Sequence, residues 1–210
     1  MLRIAIATFL SLLLGVQAAS AKDYVAGQHY EVLPNPVITR DKNKIEVVEL
    51  FWYGCSHCFT FEPMLASWKK SLPEDVDFHQ MPALWNDTMK LHAKTFYTAR
   101  ALGILDQTHQ AFFNAMHVER QRFRNESSIE NFFAKYGIDS KTFQGTFNSF
   151  GVNSQVSIAE SRAASYRMQG TPELVVNGKY RIAGALAGSQ ADMLKVAEFL
   201  INKEREAMAR

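Results

Sequence analysis

The chain has 210 residues, of which 47% are apolar, enough for one or two compact domains with a real core. Its net charge of +2 argues against nucleic acid or an anionic membrane as partner.

Residues 1–21 read as a cleaved secretory signal rather than part of the fold. Arg3 supplies a positive start, Ile4 to Val16 is apolar and uncharged, and Ala19-Ser20-Ala21 presents small residues for cleavage after Ala21. Cleavage after Ala18 is the alternative. The apolar run is short for a membrane span, so export into an oxidising compartment is expected.

Lys22 to Pro36 is mixed in character, with Tyr30 to Leu33 as a short first strand. Asp41 to Lys44 is a turn cluster. Ile45 to Phe51 follows as a strand, nearly continuous in β-branched and apolar residues, as in strands covered on both faces. A tight turn then opens a helix near Ser56 that carries Phe59, Phe61, Met64, Leu65 and Trp68. Pro63 is expected to kink it or end its first segment. Val76 to Met81 alternates as a strand, completing a strand–helix–strand unit with a parallel pair.

From 86 to 153 the pattern is helical. Asn86 or Asp87 caps a helix that stops at Gly103, and Asp106 starts another. Ser127 or Ser128 caps a third, closed by Gly137, and Asp139 opens a fourth. A longer helix is expected from Ser154 to Gln169. Leu174 to Val176 and Lys179 to Ala183 form a hairpin about Asn177-Gly178, Gly184 to Gly188 is a small-residue loop, and Gln190 to Glu206 closes as a helix. The α/β organisation is thus a first part at 22–85, an all-helical insert at 86–157 and a second part at 158–210.

Cys55 and Cys58 are the only cysteines. Both fall at a helix start, where free backbone N–H groups and the helix dipole favour a thiolate. His57 between them adds a second positive influence. A bond closing so short a loop removes little chain entropy, so a structural staple explains the pair poorly. Zinc would need four ligands, and His29, His79, His92, His109 and His117 show no ligand spacing; the last three read as helix-surface residues. Glu49 interrupts the apolar strand six residues before Cys55. It is either an ordinary carboxylate on an exposed face or a buried one beneath the cysteines. Buried, its pKa would rise, and it could take and return the proton of Cys58.

The cysteine turn, Glu49 to Pro63, and the stretch Gly170-Thr171-Pro172-Glu173-Leu174 to Tyr180 together resemble the thioredoxin superfamily. With the helical insert and the signal segment, the chain resembles in particular the DsbA family of exported dithiol oxidases. The resemblance implies a thioredoxin-like fold, a central mixed sheet flanked by helices, with an inserted all-helical domain. It implies periplasmic location and a protein disulfide oxidoreductase that donates its Cys55–Cys58 disulfide to reduced, newly exported proteins through a mixed disulfide. No cofactor beyond that redox-active disulfide is expected, and the protein is expected to be a monomer. A membrane-bound, quinone-linked oxidase of the DsbB type would reoxidise it. Thr171-Pro172 would be a cis bond beside the cysteines, its backbone offered to an extended substrate chain. Ser56 departs from the family's commonest residue there, proline, and would tune the strength of the oxidant. Trp52, Tyr53 and Phe59 are candidates for an apolar docking rim. A periplasmic reductase or isomerase is the nearest alternative, and a thioredoxin-fold binding or metal-binding module the one from another class. An isomerase of this kind usually carries an extra N-terminal domain, for which the residues before Ile45 leave no room, and intact Cys55 and Cys58 argue against a redox-silent module.

Overall fold

The computed structural model describes residues 23–209, so the expected signal segment lies outside the described residues. Its centre is a five-stranded mixed sheet of order β1-β5-β4-β2-β3. Strand β2 (Ile45–Phe51) is buried along its whole length, as a β-branched run covered on both faces must be. It pairs in parallel with β3 (Val76–Pro82) through helix α1 (Ser56–Lys69), and antiparallel with β4 (Glu173–Val176). Strand β5 (Tyr180–Ala183) pairs antiparallel with β4 and with the two-residue β1 (Glu31–Val32). The β4–β5 turn places Asn177 and Gly178 at φ 51° and 62°, the two positive values a type I′ turn requires. A Cβ on Gly178 would stand 2.0 Å from the Val37 carbonyl oxygen, so glycine is also required there by close approach.

The remaining helices are α2 (Asp87–Ala101), α3 (Leu105–His117), α4 (Glu126–Ala134), α5 (Ser140–Phe147), α6 (Phe150–Ser165), α7 (Gly184–Ala187) and α8 (Gln190–Met208). Side chains of β2 alternate between two cores. Ile45 and Val47 join Phe61, Leu65 and Trp68 of α1 and Val196 and Leu200 of α8. Val48 and Leu50 join the phenylalanines of the helical layer, among them Phe96, Phe112, Phe133 and Phe143. Glu49 lies by that alternation on the α1 side.

Several boundaries differ from the sequence expectation. Helix α1 runs unbroken through Pro63, which withholds one N–H from the Phe59 carbonyl but does not end the helix. The cap of α4 is Asn125, not Ser127 or Ser128: its Oδ1 accepts from the Ser128 N–H at 2.9 Å. Helix α6 starts four residues before Ser154, because Ser149 Oγ accepts from the Val152 N–H at 3.2 Å. It ends at Ser165, before Arg167 turns out at φ 53°, and it runs continuously across residues 157 and 158. Gly184 to Ala187 forms a short helix instead of a loop. The caps Asn86 and Asp139 stand as expected.

Candidate active site

Strand β2 hands the chain to Trp52-Tyr53-Gly54, and the Cys55 N–H closes this turn on the Trp52 carbonyl at 3.0 Å. A Cβ on Gly54 would collide with the Trp52 ring at 2.3 Å, so the turn depends on glycine. Cys55 is the N-cap residue of α1, in extended conformation and with no side-chain cap bond. Its sulfur therefore stands where a cap oxygen would, facing the orphan N–H groups of the first turn.

The two sulfurs are driven in opposite directions. The Cys55 thiol is lowered to about 5, first by hydrogen bonding from the Cys58 thiol, then by the Thr171 side chain and the backbone N–H groups of Cys58 and His57; half-burial works against them. Cys58 is fully buried, and its thiol is pushed far up, by burial first, then by donating to Cys55 and by the Glu49 charge. In the dithiol form Cys55 Sγ also lies 3.3 Å from the Thr171 carbonyl, and the Thr171–Pro172 bond is cis.

Ser56, the first helical residue, and His57 are both exposed. His57 acts on Cys55 through its backbone N–H, and its carbonyl accepts from Gln190 Nε2 at 2.6 Å. Beside them runs a groove of about 540 Å³, lined among others by His57, Thr171, Pro172, Gly184, Gln190 and Met193.

Glu49 is fully buried, which overturns the exposed-strand alternative. Oε2 accepts from Gln80 Nε2 at 2.7 Å, and Oε1 has no partner among the described residues. Burial first, then the Glu62 charge, raises this carboxyl well above the ordinary range.

Sequence reasoning missed the residues around it. Gln80 Nε2 also lies 2.7 Å from Glu62 Oε1. His109 Nε2 is 2.9 Å from that same oxygen, and His109 Nδ1 is 2.8 Å from the Tyr53 hydroxyl. None of the three helical histidines is a surface residue. His92 is buried, accepting from Trp52 Nε1 at 3.1 Å and donating to the Phe123 carbonyl at 2.9 Å. His117 bonds the Tyr53 carbonyl at 2.8 Å and stacks on Phe59 with ring centroids 4.9 Å apart. Tyr53 itself is core, because its ring packs among Phe51, Phe112 and Phe113, and it leaves the candidate rim; Trp52 and Phe59 remain half-buried. Helical spacing held the signal: His109 precedes Phe112 and Phe113 by three and four residues, which puts it on their face.

Away from the cysteines, Glu46, Asp77 and His79 group ligand-type atoms. Their carboxylates already face guanidinium groups, Glu46 that of Arg162 and Asp77 that of Arg40. His79 is held down to about 3 by burial and then by the Arg40 charge, a setting hostile to a cation.

A family model described as a DSBA-like thioredoxin domain matches residues 46–195. The thiol:disulfide interchange protein DsbA of Pseudomonas aeruginosa is 42% identical over 190 residues, covering 90% of each chain. That of Azotobacter vinelandii is 41% identical over 196 residues, covering 92% of each. The crystal structure of Pseudomonas aeruginosa DsbA superposes with a TM-score of 0.85 at 41% identity, covering 89% of this chain and 97% of that one.

Proposed function

The chain belongs to the DSBA-like thioredoxin family and is a protein disulfide oxidoreductase, and we propose that it oxidises exported proteins through Cys55, with Cys58 as resolving thiol and Glu49 as its proton partner. The observation that carries this reading is the unlike placement of the two sulfurs, Cys55 half-buried at the N-cap of α1 and Cys58 fully buried, which lowers the first thiol and raises the second.

In the disulfide form a substrate thiolate attacks Cys55 Sγ. The Cys55–Cys58 bond breaks, and Cys58 leaves as a thiolate. That thiolate is buried, so it takes a proton from the Glu49 carboxylic acid. A second substrate thiolate then attacks the substrate sulfur of the mixed disulfide, and Cys55 leaves. The substrate loses two electrons and the cysteine pair gains them. Departure of Cys55 is fast because a low-pKa thiol is a good leaving group. The same stabilised thiolate favours the dithiol form, which makes the disulfide oxidising.

The redox equivalents reside in the cysteine pair itself, without another cofactor. The groove beside His57 and Pro172 suits an extended, unfolded chain, whose backbone can pair with Thr171 in the manner of an added strand. Ser56 at the exposed helix start tunes the thiolate. The partners are reduced proteins newly exported to the periplasm and, for reoxidation, a quinone-linked membrane oxidase.

Equilibration with glutathione, together with the pH dependence of Cys55 alkylation, tests the assignment. A strongly oxidising disulfide and an acidic Cys55 are expected. A poise as reducing as thioredoxin, with Cys55 ionising like free cysteine, would overturn it.

A further inference from the structure

The hydrogen bonds around Glu49 define the proton positions of the cluster. The Gln80 amide nitrogen carries two protons. One meets Glu49 Oε2 and the other Glu62 Oε1, each at 2.7 Å. Neither remains for His109 Nε2, 3.1 Å away. The contact of 2.9 Å between His109 Nε2 and Glu62 Oε1 is then made by a proton on the imidazole. In the neutral ring that tautomer leaves Nδ1 as acceptor, and the Tyr53 hydroxyl supplies the donor at 2.8 Å. Tyr53 keeps that proton, since burial and then the Glu62 charge push its phenol well up. With these assignments a continuous run of hydrogen bonds joins Tyr53 to Glu49 Oε2, and Glu49 Oε1 is left without a partner among the described residues.

We propose that His109 is a positioning residue for the proton step at Cys58: by donating to Glu62 it compensates the charge beside Glu49, and so sets how readily Glu49 gives and recovers the Cys58 proton. The inference rests on the reading of Glu49 as proton partner.

Glu62 reaches the imidazole from α1, Gln80 from β3 and Tyr53 from the turn after β2. Its other faces meet the rings of Phe51, Phe96 and Phe113. On α3 itself Asp106, one turn earlier, is exposed. Two carboxylates bridged by one amide disfavour each other's ionisation, and the His109 N–H offsets part of the Glu62 charge that Glu49 meets. Removing it makes Glu49 hold its proton to higher pH. Cys58 then loses its proton less readily, because the base that accepts it is already occupied.

The test follows Cys58 in the reverse direction. Reduced protein is mixed with oxidised glutathione and quenched in acid, which separates two steps. Cys55 thiolate first attacks oxidised glutathione, whose S–S bond breaks, forming the mixed disulfide and releasing one glutathione thiolate. Cys58 then passes its proton to Glu49 and attacks Cys55, forming Cys55–Cys58 and releasing glutathione thiolate. In His109→Leu the second step is expected to slow about tenfold on the acidic side of its pH profile, equivalent to a midpoint about one pH unit higher. The first step and the Cys55 titration stay unchanged. His109→Gln keeps an N–H donor and is expected to recover most of the rate. Tyr53→Phe, which keeps the ring in the core and removes only the hydroxyl, is expected to move the midpoint the same way by less, so the idea stays testable if His109→Leu folds poorly.

In a Glu49→Gln background His109→Leu should add no further shift. An equal shift there means that His109 acts on another group, and overturns the inference. Glu49→Gln altering the profile while neither His109→Leu nor Tyr53→Phe does so overturns this inference alone. An unaltered profile in Glu49→Gln overturns the Glu49 reading and this inference with it.

Discussion

The Thr171 carbonyl oxygen lies 3.3 Å from the Cys55 sulfur, although 116 residues separate them in the chain. Sheet register fixes this adjacency. Leu50 of β2 pairs with Glu173 of β4, and Glu49 with Leu174. The strand that runs into the cysteine turn and the strand that leaves Pro172 are therefore side by side and antiparallel. A carbonyl can accept from the Cys55 thiol but offers nothing to a thiolate, which needs donors. The Thr171 side chain is among the groups that lower the Cys55 thiol.

Thr171→Val keeps the shape and removes that hydroxyl. A hydrogen bond to a charged group contributes about 1.5–3 kcal/mol, so the Cys55 pKa is expected to rise from about 5 by about one to two pH units. Thiolate absorbance titrated against pH measures it. An unmoved titration would remove Thr171 from the set of groups that stabilise the thiolate.

The lowered Cys55 pKa also links stability to pH. The folded dithiol protein ionises this group at about 5, against an ordinary value of 9.0. Between those values the native state holds a thiolate while the unfolded chain holds a thiol and binds more protons. Stability of the dithiol form relative to the disulfide form therefore increases as pH rises from about 5 towards 9, and the gain is lost as pH falls through 5. Melting curves of both redox forms across that range show it; a gap independent of pH would contradict it.

Much of this arrangement was legible in the sequence because its signals are local. Ile45 to Phe51 declared a doubly covered strand by composition, and Asn177-Gly178 declared its turn by the backbone that only such residues adopt readily. The cap of α4 was read as Ser127 or Ser128, two or three residues too late, and the observed geometry gives it to Asn125. His109 was misread because its partners are Glu62, Gln80 and Tyr53, 47, 29 and 56 residues away. Local polarity places such a histidine in solvent, and only a fold that buries its helix face reverses that. The cysteine pair and Glu49 were found, but Glu62, Gln80 and His109 around Glu49 were not.

The α4 cap is checkable directly. Asn125→Ala removes the acceptor for the Ser128 N–H and is expected to cost about 1 kcal/mol. Ser127→Ala, at an exposed position, should stay within about 0.5 kcal/mol. Denaturant midpoints of the two variants compare them, and a larger loss at Ser127 would return the cap to that residue.

The two sulfurs are expected to fail differently when removed. Cys58→Ala leaves Cys55 able to form a mixed disulfide with no internal thiol to release it, so substrate adducts accumulate. Cys55→Ala leaves only a buried thiol whose proton is held tightly, so no adducts form. Gel separation under non-reducing conditions reads this, and equal trapping by both variants would reverse the roles.

Glu49→Gln separates stability from turnover. The folded carboxyl is raised well above its ordinary 4.5, mainly by burial. Such a group contributes stability that is fully present below 4.5 and is lost as pH rises through its folded value. Glutamine cannot ionise and its oxygen can still accept from Gln80, so it avoids that loss. The variant is expected to match the parent in acid and to exceed it in stability at high pH. It should at the same time release glutathione from the mixed disulfide more slowly, because Cys58 has lost its proton partner. A buried carboxylate retained against the stability of the fold is what a proton-transfer role requires. A variant that is destabilised at high pH, or stabilised with no change in the resolving step, would show that Glu49 is held for packing.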